Sequence, residues 1–273
     1  MGFGEMPSGK NDLNKKEKAL EEDWGELRNV QVGEKELEEL LEKDGNEEQM
    51  TQRILKMLTT RSSFAKKYEE ANEDSVEVMK PFAKHQVWYK DVRDKIVERI
   101  NSENKFKWEN NPGWFGIDVR PEAGKREGNN TKIYATIPVN EYAFLQHILS
   151  LADDLREIAE ETDDKVKVKI SNSLTGFISH NDSIVIHFKN KNNVEKIQSA
   201  LSQWMEDHAI TEAPRELGRS KVGIDSGSNS FTKLVAQNIA SWLVENSGKY
   251  DNKTLAKLAV KYAIEQSQKS PVK

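Results

Sequence analysis

Thr131-Lys132-Ile133-Tyr134-Ala135-Thr136-Ile137 and Lys165-Val166-Lys167-Val168-Lys169-Ile170 are the two stretches whose reading decides the fold. In both, aliphatic residues alternate with Lys, Tyr or Thr, the period-two pattern of a half-buried strand. Ile184, Ile186 and Phe188 repeat the pattern in a third strand. Between the first two, Asn140 can cap a helix whose inner face is Leu145, Ile148, Leu149, Ala152, Leu155 and Ala159. After the third, Val194, Ile197, Leu201, Trp204 and Met205 stripe another helix. The order β-α-β-β-α predicts an α+β protein, a small and mainly antiparallel sheet packed on helices, with extra N- and C-terminal helices. Strands are expected over 131–137, 165–170 and 183–188, with helices 140–160 and 193–206 on one face.

Working outward, a long loop, His208–Asn229, leads to a helix carrying Phe231, Leu234, Val235, Ile239, Trp242 and Leu243, and then to one with Leu255, Leu258, Ala259, Tyr262 and Ala263. On the N-terminal side, Pro81 opens a helix with Phe82, Val87, Trp88, Val92 and Ile96 that ends near Ile100. Asn110-Asn111-Pro112-Gly113 reads as a turn flanked by aromatic residues, followed by a short strand over 115–119. Two earlier stripes, Leu37/Leu40/Leu41 and Met50/Ile54/Met57/Leu58, are narrow and need a partner surface. Residues 1–80 hold 13 Lys/Arg and 20 Asp/Glu, against 28 and 26 in the remainder. They read as an acidic, helical and partly disordered arm, dispensable for folding of an α+β domain over 81–273. The arm either meets a partner of its own or simply keeps the chain solvated.

Composition narrows the function classes. The 273 residues are 32% charged and 36% hydrophobic, with no cysteine. That excludes disulfides, thiolate nucleophiles and cysteine-based zinc sites. No apolar run approaches the ~18 residues of a membrane span. The first residues, Met1-Gly2-Phe3-Gly4-Glu5-Met6, match neither a cleavable signal nor a myristoylation site. A cytoplasmic protein is expected. The five histidines, His85, His147, His180, His187 and His208, have no metal-ligand spacing, so neither a metal nor a cofactor is expected.

Alternation sends Lys132, Tyr134, Thr136, Lys165, Lys167, Lys169, Val185 and His187 to the sheet face opposite the aliphatic one. Aligned lysines repel one another, and an anion would compensate them. An ordinary solvated face of an antiparallel sheet shows the same pattern. Lys221-Val222-Gly223-Ile224-Asp225-Ser226-Gly227-Ser228-Asn229 runs into a helix near Ser230, with Arg215 and Arg219 upstream. Glycine-rich backbone at a helix start suits phosphate, although no nucleotide-binding motif is met and a simple capped helix reads the same way. His180 just precedes the third strand, on the side of the lysine face.

These residues carry a resemblance. The Lys132–Phe188 block, with Gly223 and Ser230-Phe231 after it, resembles the HopA-type effector family, which is related to the phosphothreonine lyases. The resemblance covers roughly residues 81–245. It implies β-elimination of phosphate from phosphothreonine or phosphoserine in a peptide or protein, giving a dehydroamino acid. The base it indicates is Lys169, with Lys132 and Tyr134 as further catalytic residues. Where the lyases carry Lys-x-His, this chain reads Lys132-Ile133-Tyr134, and His180 stands where an arginine is expected. Phosphate would be held by His180, Arg215 or Arg219, Lys167 and Lys221. A non-catalytic effector could use the same basic face to hold an anionic partner. RNA binding is the weaker alternative, because Tyr134 is the sole aromatic residue on that face.

Overall fold

The computed structural model describes residues 40–41, 46–60, 80–123, 131–213, 222–224, 231–252, 254–256 and 258–259. Their centre is one six-stranded sheet, antiparallel at every pairing. The strands are β1 (Lys107–Asn111), β2 (Trp114–Asp118), β3 (Thr131–Ala135), β4 (Lys167–Ser171), β5 (Ile184–Phe188) and β6 (Val222–Ile224), in spatial order β1-β2-β4-β5-β3-β6. The helices are α1 (Glu47–Thr59), α2 (Ala83–Glu103), α3 (Ile148–Glu161), α4 (Leu174–Ser179), α5 (Val194–Asp207) and α6 (Phe231–Asn246). Strands β3 to β6 with α3 and α5 make a split β-α-β unit. The β1–β2 hairpin extends the sheet beyond β4.

The expected alternation holds. Val168 pairs with Ile186 and Ile170 with Ile184, so the aliphatic residues of β4 and β5 share one face. Ile133, Val168, Ile170, Ile184, Ile186 and Phe188 are all buried. The helices α3 and α5 pack on each other, and α5 also meets β3. Trp204 of α5, 1% exposed, donates its indole N–H to the His147 carbonyl at 3.1 Å and the Ser150 hydroxyl at 3.0 Å. Full burial of each such side chain stabilises by about 1.5–3 kcal/mol.

Local departures have physical causes. Val139–His147 is 3-10 helix, with Glu141 in non-helical geometry, so regular helix starts only at Ile148. The β4–β5 connection is not a tight hairpin. Ser173 accepts the Gly176 N–H through its side chain and starts the short α4. The long loop after α5 contains β6, three residues paired with β3. Asn110-Asn111-Pro112-Gly113 closes β1 onto β2, with Gly113 at φ 82° in the turn.

Part of the segment before residue 80 packs on the sheet-bearing unit. The compact unit containing the sheet runs Val32–Lys273. Asn46 and Gln49 form a reciprocal capping box at the start of α1, and Glu47 and Glu48 oppose the helix dipole there. The narrow stripe then finds its partner. Leu40, Ile54 and the half-buried Met50 and Met57 pack with Ala236, Ile239, Ala240 and Leu243 of α6 and with Tyr134 and Val185 of the sheet. Ala236 and Ala240 lie one turn apart and let the two helices approach closely. Loss of residues 1–80 would therefore uncover part of a hydrophobic core.

Candidate functional site

Register sorts the lysine face into rows. Lys132, His187, Lys167, Asp118 and Lys107 lie side by side across β3, β5, β4, β2 and β1. The next row is Tyr134, Val185, Lys169, Gly116 and Glu109. Beyond it come Ser171, Trp114 and Asn111. Lys132 and Lys167 flank His187, and Tyr134 and Lys169 flank Val185, so each pair is two strand spacings apart, roughly 9.5 Å.

This face is not a solvated surface. Lys167 is 7% exposed and His187 9%, while Lys132 and Lys169 are half-buried. The Lys167 ammonium makes an ion pair with Glu109, and Lys165 meets Asp118 at 3.4 Å. Gly116 leaves room for the first arrangement. A Cβ built there would stand 2.6 Å from Lys167 Cε and 3.1 Å from Glu109 Cγ. Two influences oppose each other at Lys167. Burial, and then the neighbouring Lys169 charge, bring its pKa down to about 8. The Glu109 carboxylate favours the charged form.

The other half of the face lies under α1 and α6. Tyr134 is 4% exposed and belongs to the apolar cluster that those helices close. His180 lies beside Trp114, their ring centroids 5.7 Å apart and their planes 22° from parallel. It also bridges to Thr60 at the end of α1. The structure thus brings Lys132, Lys167 and Lys169 together and sets Tyr134 and His180 at a covered margin. Arg215, Arg219 and Lys221 lie outside the described residues. Sequence reading missed Glu109, Asp118 and Trp114. The signal for Glu109 was present, because the Pro112-Gly113 turn pairs Asn111 with Trp114 and so sets Glu109 opposite Gly116.

Among the described residues, no group of three or more His, Asp or Glu side chains is placed to hold a metal. No described helix is long and apolar enough to cross a membrane.

No protein-family profile matches the sequence. No curated protein matches it either. Some solved structures match at low similarity. One is the effector protein from Pseudomonas syringae pv. syringae strain 61, at a TM-score of 0.42 and 9% identity, covering 80% of this chain and 94% of that one. Another is the effector protein from Pseudomonas syringae pv. tomato strain DC3000, at 0.36 and 9%, covering 93% and 95%.

Proposed function

We propose that the face built by Lys132, Lys167 and Lys169 binds the phosphorylated Ser or Thr side chain of a peptide and eliminates its phosphate. The observation that carries this reading is the buried Lys167, held to a pKa of about 8 beside a second lysine on the same strand. A general base has to be neutral in an appreciable fraction near working pH, whereas phosphate ligands have to stay charged. This assigns Lys167 as the base and Lys169 and Lys132 as phosphate ligands, exchanging the β4 roles that the resemblance implied. In the reaction the neutral lysine takes the Cα proton. The Cα–H electrons form the Cα–Cβ double bond, and the Cβ–O bond breaks with its pair going to the departing phosphate. Charged lysines around the phosphate stabilise that departure.

The burial of Tyr134 under α1 and α6 and the engagement of His180 with Thr60 favour a second reading, a non-catalytic effector that binds an anionic partner on the same face. RNA binding has less support, because modules of this strand order stack bases on an open sheet face, and here Tyr134 and Trp114 belong to the cluster that α1 and α6 close.

The full chain is to be mixed with phosphothreonine and phosphoserine peptides and the products weighed by mass spectrometry. Loss of phosphoric acid is expected, with a rate that rises through about pH 8. Lys167→Met should abolish product while the peptide still binds, and Lys169→Met should weaken binding, by less at high salt than at low salt. Intact peptide throughout, with binding abolished by Lys132→Glu, would replace elimination by the anionic-partner reading.

A further inference from the structure

Two histidines far apart in the sequence meet where α3 begins and α5 ends. His147 immediately precedes α3, and His208 caps the C-terminus of α5. Their ring centroids are 4.3 Å apart, with the planes 47° from parallel. One buried residue holds both. The Trp204 indole N–H donates to the His147 carbonyl at 3.1 Å, and the Trp204 carbonyl accepts from His208 Nδ1 at 2.8 Å. A carbonyl can only accept, so the neutral His208 ring carries its proton on Nδ1 and a lone pair on Nε2. Among the described residues, no hydrogen bond reaches Nε2 of His208 or either ring nitrogen of His147. His147 is exposed and His208 half-buried, so a small ion can reach the pair from solvent.

A histidine that ligates a metal characteristically spends one ring N–H on a backbone carbonyl, which fixes the tautomer and orients the other nitrogen. His208 is held in this way. Two imidazoles on one divalent ion, each about 2.0–2.1 Å from it, set their nitrogens about 3 Å apart. A centroid separation of 4.3 Å admits that spacing. The surrounding charges favour a cation as well. Partial desolvation, and then the charges of Glu157, Asp153 and Asp207, hold the Asp154 carboxyl above its usual range, while His208 pulls it the other way. These carboxylates repel one another beside the histidines, and a bound cation relieves that repulsion. Among the described residues no group of three ligands is formed, so water fills the remaining positions. Imidazole nitrogen suits zinc, copper and nickel, whereas magnesium and calcium take oxygen ligands. We propose that His147 and His208 form a two-histidine site for a divalent transition-metal ion, which staples the start of α3 to the end of α5. The site uses no residue of the lysine face and does not rest on the elimination reading.

The test uses the full chain, stripped with a chelator and titrated with zinc chloride against a chromophoric zinc indicator. One ion should bind per chain, with a dissociation constant on the order of micromolar. Tm should rise with zinc concentration by mass action and stay unchanged with magnesium chloride. His147→Gln removes a ligand while disturbing no described hydrogen bond of that side chain, and it should weaken zinc binding at least about tenfold. His208→Gln should do the same. His85→Gln, a histidine outside the pair, should leave binding unchanged. Zinc binding that is undiminished in His147→Gln, or that is lost in His85→Gln, overturns the proposal. A second measurement needs no variant. Substoichiometric copper chloride should broaden the ring-proton NMR signals of His147 and His208 before those of His85, His180 and His187. Broadening centred on another histidine overturns the site, as does zinc binding no tighter than about millimolar.

Discussion

Replacing Lys167 by methionine isolates the energetic consequence of placing an ammonium group against the sheet. The ordinary value of 10.5 falls to about 8 in the folded chain, chiefly through burial and then through the Lys169 charge. That difference corresponds to about 3 kcal/mol by which the folded state disfavours the charged lysine relative to the unfolded chain. The sign follows from proton counting. Below pH 8 both states are protonated and the full penalty applies. Between about pH 8 and 10.5 the folded chain has released the proton that the unfolded chain still binds, so stability rises with pH across that window. Above it the penalty is gone. Methionine retains most of the aliphatic length that lies over Gly116 and removes the charge. It also forfeits the ion pair with Glu109, whose side chain is 49% exposed, a contact worth at most about 1 kcal/mol at such exposure. Lys167→Met should therefore be more stable than wild type by about 2 kcal/mol at neutral pH. The gap should close as pH approaches 10.5. Urea denaturation of both proteins at neutral, mildly alkaline and strongly alkaline pH measures it. A Lys167→Met protein that is less stable at neutral pH, or a gap independent of pH, refutes the reasoning. The expected outcome joins stability to function, since the substitution that stabilises the fold is the one that should abolish elimination.

Two further outcomes concern the frame around the site. Asp164, 3% exposed, accepts the backbone N–H groups of Lys165, Lys189 and Asn190 and the Asn193 amide at 2.7–3.0 Å; Asp164→Ala should cost about 3 kcal/mol or more, read as a lowered Tm. His147, an exposed residue, titrates below the usual histidine range through partial desolvation and then through the neighbouring His208, their ring centroids 4.3 Å apart. The folded chain therefore loses stability as pH falls below about 6.5, and His147→Gln should flatten that fall in thermal melts taken from neutral to about pH 5.

Alternation in β3, β4 and β5 was enough to predict three strands, their shared aliphatic face and the lysines opposite, because side chains in a strand must point to alternate faces and aliphatic ones must leave water. The α3 and α5 stripes followed from the same physics at helical period. What covers the lysine face was not legible. The stripe Met50/Ile54/Met57 states only that α1 needs a partner; that the partner is α6 together with Tyr134 and Val185, across more than seventy residues of chain, is decided by packing. The charge state of Lys167 was equally out of reach. Its low pKa depends on burial and on Lys169 two residues along the strand. Local pattern reports which face a residue takes; how far that face is from water, and which charges meet there, exists only once distant segments have closed over it.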